Sequence, residues 1–191
     1  MNMKNILLLL VISCSLTGQA QTLVQNFTLT NVADGSSFSL EQNHPGTGLV
    51  LIFTSNTCPY DHYYTERLKS LIATYEEKIR FALINAYPDP EENAEKMKIA
   101  YGTWGVPVPY LADKEQAAME SLGARKSPEA FLLKHVNGKY SVVYRGAIDD
   151  SPQLVTGVKL YYLRAAIDQL LAGHKIELAA MRAVGCSIRW K

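Results

Sequence analysis

The chain has 191 residues, with 19 Lys and Arg against 18 Asp and Glu, and 48% of the residues are hydrophobic. This length allows one domain with a real hydrophobic core. The charge balance argues against nucleic acid as a partner and leaves no polybasic patch for a membrane surface. Three cysteines are too few for a fold built on disulfides.

Residues 1–20 have the pattern of a secretory signal peptide. Lys4 precedes an apolar stretch, residues 6–12, that is too short to span a bilayer. Gly18 and Ala20 then place small residues before a cut at Gln21. The pattern predicts an exported protein, located in the periplasm.

A second interpretation of the same segment is a lipoprotein signal. Residues 11–14, which end in Cys14, resemble a lipobox and would make Cys14 the lipid-anchored N-terminus. After simple cleavage, Cys58 and Cys186 are the remaining cysteines, and the mature chain has 18 basic and 18 acidic residues. We expect a domain over residues 21–176 and a C-terminal tail, residues 177–191, that carries Cys186.

The first elements of the predicted domain are a hairpin, two buried strands and a helix. Two alternating runs within residues 22–40 flank Asp34-Gly35, a dipeptide typical of hairpin turns. Residues 49–53 are continuously apolar, as in a strand covered on both faces. Residues 60–77 have apolar side chains at helical spacing, and residues 79–84 predict another buried strand.

The second half continues the alternation of strands and helices. Asp89 and Pro90 predict the cap and first turn of a helix over residues 90–101. Asn137-Gly138 predicts a second hairpin. The further predicted elements are a strand over 108–111, a helix over 114–122 and a helix over 158–171. This order predicts an α/β fold, a central mixed β-sheet with helices on both faces.

The most informative segment is the end of the first buried strand. Small polar residues follow Phe53, and then come Cys58, Pro59 and the predicted helix. Pro59 suits the first helical turn, where no N–H is needed. The first amides of a helix carry partial positive charge, which stabilises a thiolate and makes it reactive at neutral pH.

From about Phe27 to Leu171 the chain resembles thioredoxin-like redoxins, in the group related to alkyl hydroperoxide reductase C and thiol-specific antioxidant proteins (AhpC/TSA). The resemblance rests on the Cys58-Pro59 turn, the Ser127-Pro128 step and the two hairpins. The ending at residues 185–190 resembles that of an exported bacterial subgroup. The resemblance implies a thioredoxin-like fold with an N-terminal hairpin extension, and a redox enzyme with Cys58 as nucleophile.

The chain departs from the thioredoxin-type Cys-x-x-Cys motif. Asp61 stands at the position of the resolving cysteine, and Ser55 stands where related subgroup members often have one. Cys58 therefore acts as a lone thiol or together with Cys186, as in peroxiredoxins that use a C-terminal resolving cysteine. Asp61 is either a first-turn acid that complements the helix dipole or a proton-transfer group. By resemblance, Pro128 is the fold's cis-proline beside the thiol.

The peroxiredoxin motif Pro-x-x-x-Thr-x-x-Cys is also incomplete. Leu51 replaces the proline, and Ser55 replaces the threonine with a hydroxyl that can still contact a peroxide oxygen. Arg125 lies close to the place of the arginine that lowers the pKa of the peroxidatic thiol. The resemblance thus implies a peroxiredoxin-like antioxidant, with a peroxide or disulfide substrate, an external thiol reductant and room for a homodimer.

Two other functions compete with this interpretation. Sco-type copper-delivery proteins share the fold, and His62 follows Cys58 by one helical turn, so that with His135 or His174 it would form a soft N/S site. Alternatively, the loss of the paired cysteine marks a non-catalytic thioredoxin-fold binding module. Since no nucleotide-binding glycine motif is present, we expect no organic cofactor.

Overall fold

The structure is a computed structural model that describes residues 23–42 and 46–191. The predicted signal peptide, its cleavage site and Cys14 lie outside these residues. Within the described ranges, no helix combines the length and the apolar character that crossing a membrane requires.

The described strands and helices alternate along the chain as predicted. The strands are β1 (Thr28–Asn31), β2 (Ser37–Ser39), β3 (Gly48–Phe53), β4 (Arg80–Asn85), β5 (Tyr110–Ala112), β6 (Lys126–Ser127), β7 (Glu129–Val136), β8 (Lys139–Gly146), β9 (Ala180–Met181) and β10 (Cys186–Ser187). The helices are α1 (Pro59–Tyr75), α2 (Ala94–Trp104), α3 (Ala117–Leu122) and α4 (Tyr162–Leu171), with 3-10 turns at Pro90–Glu92 and Val155–Gly157.

A mixed sheet in the order β2-β1-β5-β4-β3-β7-β8-β9 forms the centre of the molecule. The neighbours β3, β4 and β5 are parallel, whereas β7 and β8 form an antiparallel hairpin beside β3. The β1–β2 hairpin extends the far edge, and its turn contains Asp34-Gly35, with Gly35 at φ 76°. The predicted central mixed sheet and N-terminal hairpin are confirmed.

The strand that leads to Cys58 lies in the middle of the sheet, and all six of its residues are buried. Val50 and Ile52 face an apolar cluster that includes side chains of α1, α2 and α4. Leu49, Leu51 and Phe53 face a second cluster that includes α3 and Ile188 from the C-terminal tail. Successive side chains of a strand point to opposite faces of the sheet, and both faces of β3 are covered. One continuous apolar run therefore contributes to two hydrophobic cores.

The predicted start of the second helix is wrong. Asp89 makes no side-chain cap bond, and residues Pro90–Glu92 form a 3-10 turn instead. The helix begins after Asn93, whose side-chain oxygen accepts a hydrogen bond from the amide of Lys96. Asn93 is the better cap because its oxygen satisfies an amide that the helix leaves unpaired. The extra turn directs Glu92 into the protein, where it is 1% exposed.

The final helix is shorter than predicted and begins at Tyr162, not at residue 158. The segment before it is a loop that the carboxylates of Asp149 and Asp150 organise. Asp149 accepts from the amide of Ser151, and Asp150 accepts from the amide of Lys159. These local bonds satisfy the backbone without a helix, which is how aspartate competes with helical structure.

Candidate active site

Cys58 lies between the end of β3 and the start of α1, as the sequence predicts. It is the N-cap residue of α1, with φ −73° and ψ 121°, and Pro59 occupies the first turn. Its amide donates to Ser55 Oγ over 3.1 Å, and its carbonyl accepts from the amide of Asp61 over 3.1 Å. Cys58 is 3% exposed. The sulfur of Cys58 therefore lies at the N-terminus of α1, the end of the helix with partial positive charge, and water barely reaches it.

A disulfide joins Cys58 to Cys186 within the chain, across 128 residues. The two Cα atoms are 6.0 Å apart, inside the range that a disulfide spans. Of the two possibilities left by the sequence, a lone thiol or a pair with Cys186, the structure has the pair. Cys186 is half-buried.

The tail reaches Cys58 by forming a strand beside Ser127. In the antiparallel β6–β10 pair, Cys186 lies opposite Ser127. The Ser127-Pro128 peptide bond is cis, which confirms the prediction for Pro128. The carbonyl oxygen of Ser127 is 3.4 Å from Cys58 Sγ. A Cβ on Gly185 would be 2.1 Å from that same oxygen, so glycine allows the tail to approach this closely.

Asp61 is a buried carboxyl in the first turn of α1, only 4% exposed. Ser127 Oγ donates a hydrogen bond to Asp61 Oδ2. Burial raises the pKa of the carboxyl to about 7, although the hydrogen bond from Ser127 opposes the rise. Asp61 therefore changes its charge near neutral pH. An acid that only complemented the helix dipole would have no need to be buried.

Glu92 is the residue of the site that the sequence did not reveal. Its Oε1 accepts from Ser55 Oγ (2.6 Å), Thr57 Oγ1 (2.7 Å) and the Thr57 amide (3.0 Å). Its Oε2 accepts from Asn85 Nδ2 (2.6 Å) and the Asn56 amide (2.8 Å). Burial alone would raise the pKa of Glu92, but these hydrogen bonds outweigh it and lower the pKa below the usual value. Glu92 thus fixes the turn that carries Cys58.

Two residues with predicted roles in peroxide chemistry have other contacts. Ser55 Oγ donates to Glu92 and accepts from the amides of Thr57 and Cys58. The guanidinium of Arg125 lies 4.9 Å from the centre of the Trp190 ring and donates to the carbonyl of Ala124. In this disulfide form, the described contacts of Arg125 are with the tail and its own segment. Its effect on the thiol pKa stays a prediction.

The three histidines that the copper interpretation invokes lie on different elements and have different surroundings. His62 is exposed on α1, whereas His135 lies in β7 with its ring 5.0 Å from that of Tyr140. His174 is exposed after the end of α4. Across the residues that the structure describes, no group of three or more His, Cys, Asp or Glu side chains could hold a metal ion.

A mixed sheet, a cysteine at the start of a helix and a cis-proline step beside it define a protein of the thioredoxin-fold class. More particularly, the Redoxin family model matches residues 19–152, and the chain belongs to the Redoxin family. The predicted relation to AhpC/TSA redoxins and the predicted thioredoxin-like fold are confirmed. Among curated proteins, none matches the sequence of this chain.

Solved structures of similar proteins agree with this assignment. An uncharacterised conserved protein from Geobacillus kaustophilus is 32% identical, over 90% of this chain and 92% of that chain, with a TM-score of 0.81. A hypothetical protein from Sinorhizobium meliloti 1021 is 28% identical, over 90% and 94%, with a TM-score of 0.80. A secreted Mycobacterium tuberculosis disulfide oxidoreductase homologous to E. coli DsbE shares the fold at 14% identity, over 77% and 95%, with a TM-score of 0.53.

Proposed function

We propose that this chain is an exported thiol oxidoreductase whose reversible redox pair is Cys58 and Cys186. The observation that carries the proposal is the position of their disulfide, at the N-terminus of the 17-residue helix α1 and beside a buried carboxyl that titrates near pH 7. A bond that only cross-linked the chain would need neither feature. The Redoxin family assignment supports the same chemistry.

Reduction of the disulfide begins at Cys186. Cys186 is half-buried, whereas Cys58 is 3% exposed, so an external thiolate reaches the sulfur of Cys186 first. Its attack forms a mixed disulfide on Cys186 and releases Cys58 as the thiolate, the better leaving group at a helix N-terminus. A second external thiolate then attacks the reductant's sulfur. The balance is one protein disulfide and two thiols converted to one protein dithiol and one external disulfide.

Oxidation runs through Cys58. Its thiolate attacks a sulfur of a substrate disulfide and forms a mixed disulfide, and the leaving thiolate takes up a proton. Cys186, held next to Cys58 by the β6–β10 pair, then attacks Cys58 Sγ. The second half of the substrate leaves as a thiol and the internal disulfide re-forms.

Asp61 supplies and takes up the proton in these steps. Ser127 places the carboxyl near the redox sulfur, because Ser127 Oγ donates to Asp61 while Ser127 O lies 3.4 Å from Cys58 Sγ. These two contacts fix the positions of the groups, and a water molecule would carry the proton between the carboxyl and the sulfur. With a pKa of about 7, the carboxyl can protonate Cys58 and accept the proton back at the same pH. Asp61 thus takes the place of a second cysteine in the motif, and its role is acid–base rather than redox.

The contacts favour disulfides over peroxides as substrates. Peroxide reduction would proceed through a sulfenic acid on Cys58, which Cys186 would condense with to give the disulfide and water. In this structure the hydroxyl proton of Ser55 is donated to Glu92, and the guanidinium of Arg125 lies on Trp190. Neither group is directed at a peroxide, so antioxidant activity is the weaker form of the proposal.

Location and organisation are part of the proposal. A disulfide persists in oxidising compartments, which suits cleavage after residue 20 and a periplasmic protein. The secreted Mycobacterium tuberculosis protein of the same fold supports export. We divide the mature chain into the redox domain, residues 21–176, and the C-terminal tail, residues 177–191. A homodimer stays a prediction.

The test compares four proteins that begin at residue 21: wild type, Cys58→Ser, Cys186→Ser and the double variant. We expect reduced wild type to reduce hydroxyethyl disulfide catalytically with dithiothreitol, and Cys58→Ser to have no activity above the double variant. Cys186→Ser should accumulate a mixed disulfide on Cys58, visible by mass spectrometry. Parallel assays with hydrogen peroxide measure the antioxidant alternative.

Iodoacetamide alkylation of Cys58 in the Cys186→Ser variant completes the test. A midpoint well below the free-thiol value, about 8.5, supports a catalytic thiolate. A midpoint at or above that value, together with no turnover of either substrate, would contradict the proposal and favour a binding module. Copper binding that is lost in His62→Ala would instead favour the copper-delivery alternative.

A further inference from the structure

The C-terminal residues 186–191 cover the segment beside Cys58 in a way that does not depend on the disulfide. We infer that they stay in place when the disulfide opens, and that this restricts Cys58 to small disulfides and excludes protein disulfides. The inference rests on the proposed function and names the substrate class of the same site. Its basis is a set of backbone and side-chain contacts outside the S–S bond.

Backbone pairing provides the first of these contacts. Cys186–Ser187 form β10 against β6, and the amide of Ile188 donates to the carbonyl of Arg125 over 3.0 Å. The hydroxyl of Tyr87 donates to the carbonyl of Cys186 over 3.1 Å. No sulfur atom takes part in these hydrogen bonds, so opening the disulfide removes none of them directly.

Burial of an apolar side chain provides the second contact that holds the tail. Ile188 is 6% exposed and belongs to the apolar cluster that contains Leu49, Leu51 and Phe53 of β3. Removing the tail would return this side chain to water and open a gap beneath α3. The same cluster supports the strand that leads to Cys58, so the tail is packed on the core of the domain.

The side chain of Gln116 provides the third contact that holds the tail. It is 3% exposed at the start of α3, and its side-chain amide group binds the backbone on both sides of Trp190. Gln116 Nε2 donates to the carbonyl of Arg189 over 2.7 Å, and Gln116 Oε1 accepts from the amide of Lys191 over 2.8 Å. Between these bonds, the Trp190 ring faces the guanidinium of Arg125.

The consequence concerns the shape of the substrate. A protein disulfide reaches a buried thiol most readily when its chain lies extended and pairs with a free strand beside the thiol. Here β10 already pairs with β6, the strand next to Cys58, and Cys58 is 3% exposed. A small disulfide needs no strand pairing. It reaches the sulfur past Thr57 and Pro59, which are exposed at the rim.

Hydrogen exchange tests whether the tail stays in place. The double variant Cys58→Ser/Cys186→Ser imitates the dithiol without an S–S bond. We expect the amide of Ile188 to be protected within about tenfold of its protection in the oxidised wild type. Protection lost to the level of an unfolded peptide would overturn the inference.

Kinetics test the restriction itself. We expect wild type, with dithiothreitol, to reduce hydroxyethyl disulfide but to reduce insulin no faster than dithiothreitol alone does. Ile188→Ala loosens the tail and should raise the ratio of insulin to hydroxyethyl disulfide turnover at least tenfold. Lys191→Ala is the matched control, because the described contact of its side chain is an exposed ion pair with Glu115 and its backbone bond remains.

The outcomes separate the two proposals. Reduction of neither substrate by wild type would contradict the proposed function. Reduction of insulin and hydroxyethyl disulfide at similar rates would contradict the restriction alone, as would an unchanged ratio in Ile188→Ala. If circular dichroism shows that Ile188→Ala does not fold, Tyr87→Phe replaces it, since it removes one hydrogen bond to Cys186 and keeps the ring in the core.

Discussion

Glu92→Gln is the sharpest test of how the active turn is held. The substitution keeps the shape of the side chain but replaces one carboxylate oxygen by an amide nitrogen, which donates hydrogen bonds. Every described partner of the carboxylate is itself a donor, in Ser55, Asn56, Thr57 and Asn85. In either orientation, the amide nitrogen of the new side chain must therefore face hydrogen-bond donors, and it cannot accept hydrogen bonds from them.

The expected loss of stability follows from the number of hydrogen-bond donors at each of the two carboxylate oxygens of Glu92. The milder orientation places the new amide nitrogen at the Oε2 position, where the amide of Asn56 and Asn85 Nδ2 lose their acceptor. A buried donor left without a partner costs about 1–3 kcal/mol. Two such donors predict a loss of about 2–6 kcal/mol in the free energy of unfolding. The turn should loosen as well, so Cys58 should become easier to alkylate in the reduced chain.

Urea denaturation of the oxidised chain at pH 7 measures the loss. Glu91→Gln is the control, because Glu91 is the exposed neighbour and its ion pair with Lys96 spans 3.4 Å, so we expect a change within about 0.5 kcal/mol. Hydrogen bonds lower the pKa of Glu92 in the folded state, so its stabilisation is complete above the usual value of 4.5 and is lost as the pH falls through the folded-state pKa. A loss below about 1 kcal/mol for Glu92→Gln would refute the reasoning.

Three further predictions concern the surroundings of the disulfide. Burial raises the folded-state pKa of Asp61 from 3.8 to about 7, so the free energy of unfolding should fall between about pH 4 and pH 7 and level off above. Asp61→Asn should abolish this pH dependence and be more stable than wild type at pH 8, by on the order of 4 kcal/mol. Urea denaturation at a series of pH values measures both effects. Gly185→Ala would place a Cβ 2.1 Å from a backbone carbonyl oxygen. Because the tail stays in place in the dithiol, this clash should destabilise both redox forms, by about 1–3 kcal/mol in urea denaturation, whereas Gly102→Ala, where a Cβ meets nothing within 4 Å, should show no such loss in either form. Arg125→Ala should cost about 0.5–1 kcal/mol through lost contact with Trp190, measured by thermal unfolding; a higher pH midpoint of Cys58 alkylation would instead support the sequence-based role of Arg125.

The local features of the site were readable from the sequence. A strand, a polar turn, Cys58 and Pro59 follow one another within a few residues, and short-range preferences determine such a succession. The same is true of the Asp34-Gly35 and Asn137-Gly138 turns, because the conformations that these turns require favour glycine in their own residues. The central strand could be placed from its continuous apolar run, which is likewise a property of its own residues.

The functions of the acidic residues were decided by tertiary structure. Asp61 is an unremarkable first-turn acid in the sequence, and its pKa near 7 results from burial beneath Ser127, 66 residues away. Glu92 looked like part of a helix start. Asn93 capped that helix instead, and the freed carboxylate bound a turn more than thirty residues earlier. Burial depends on what the rest of the chain places around a group, and local patterns contain no information about that.

The disulfide is the clearest case in which the sequence determined one part and the tertiary structure decided the other. The sequence determined that Cys58 had no local partner and that Cys186 was the remaining cysteine of the predicted mature chain. Whether the two sulfurs met depended on the tail. Gly185 allows it to pass Ser127, the β6–β10 pair sets its register, and Gln116 holds its end. Local patterns do not reach across the 128 residues that separate the two cysteines, because the positions of Ser127 and Gln116 depend on the whole fold.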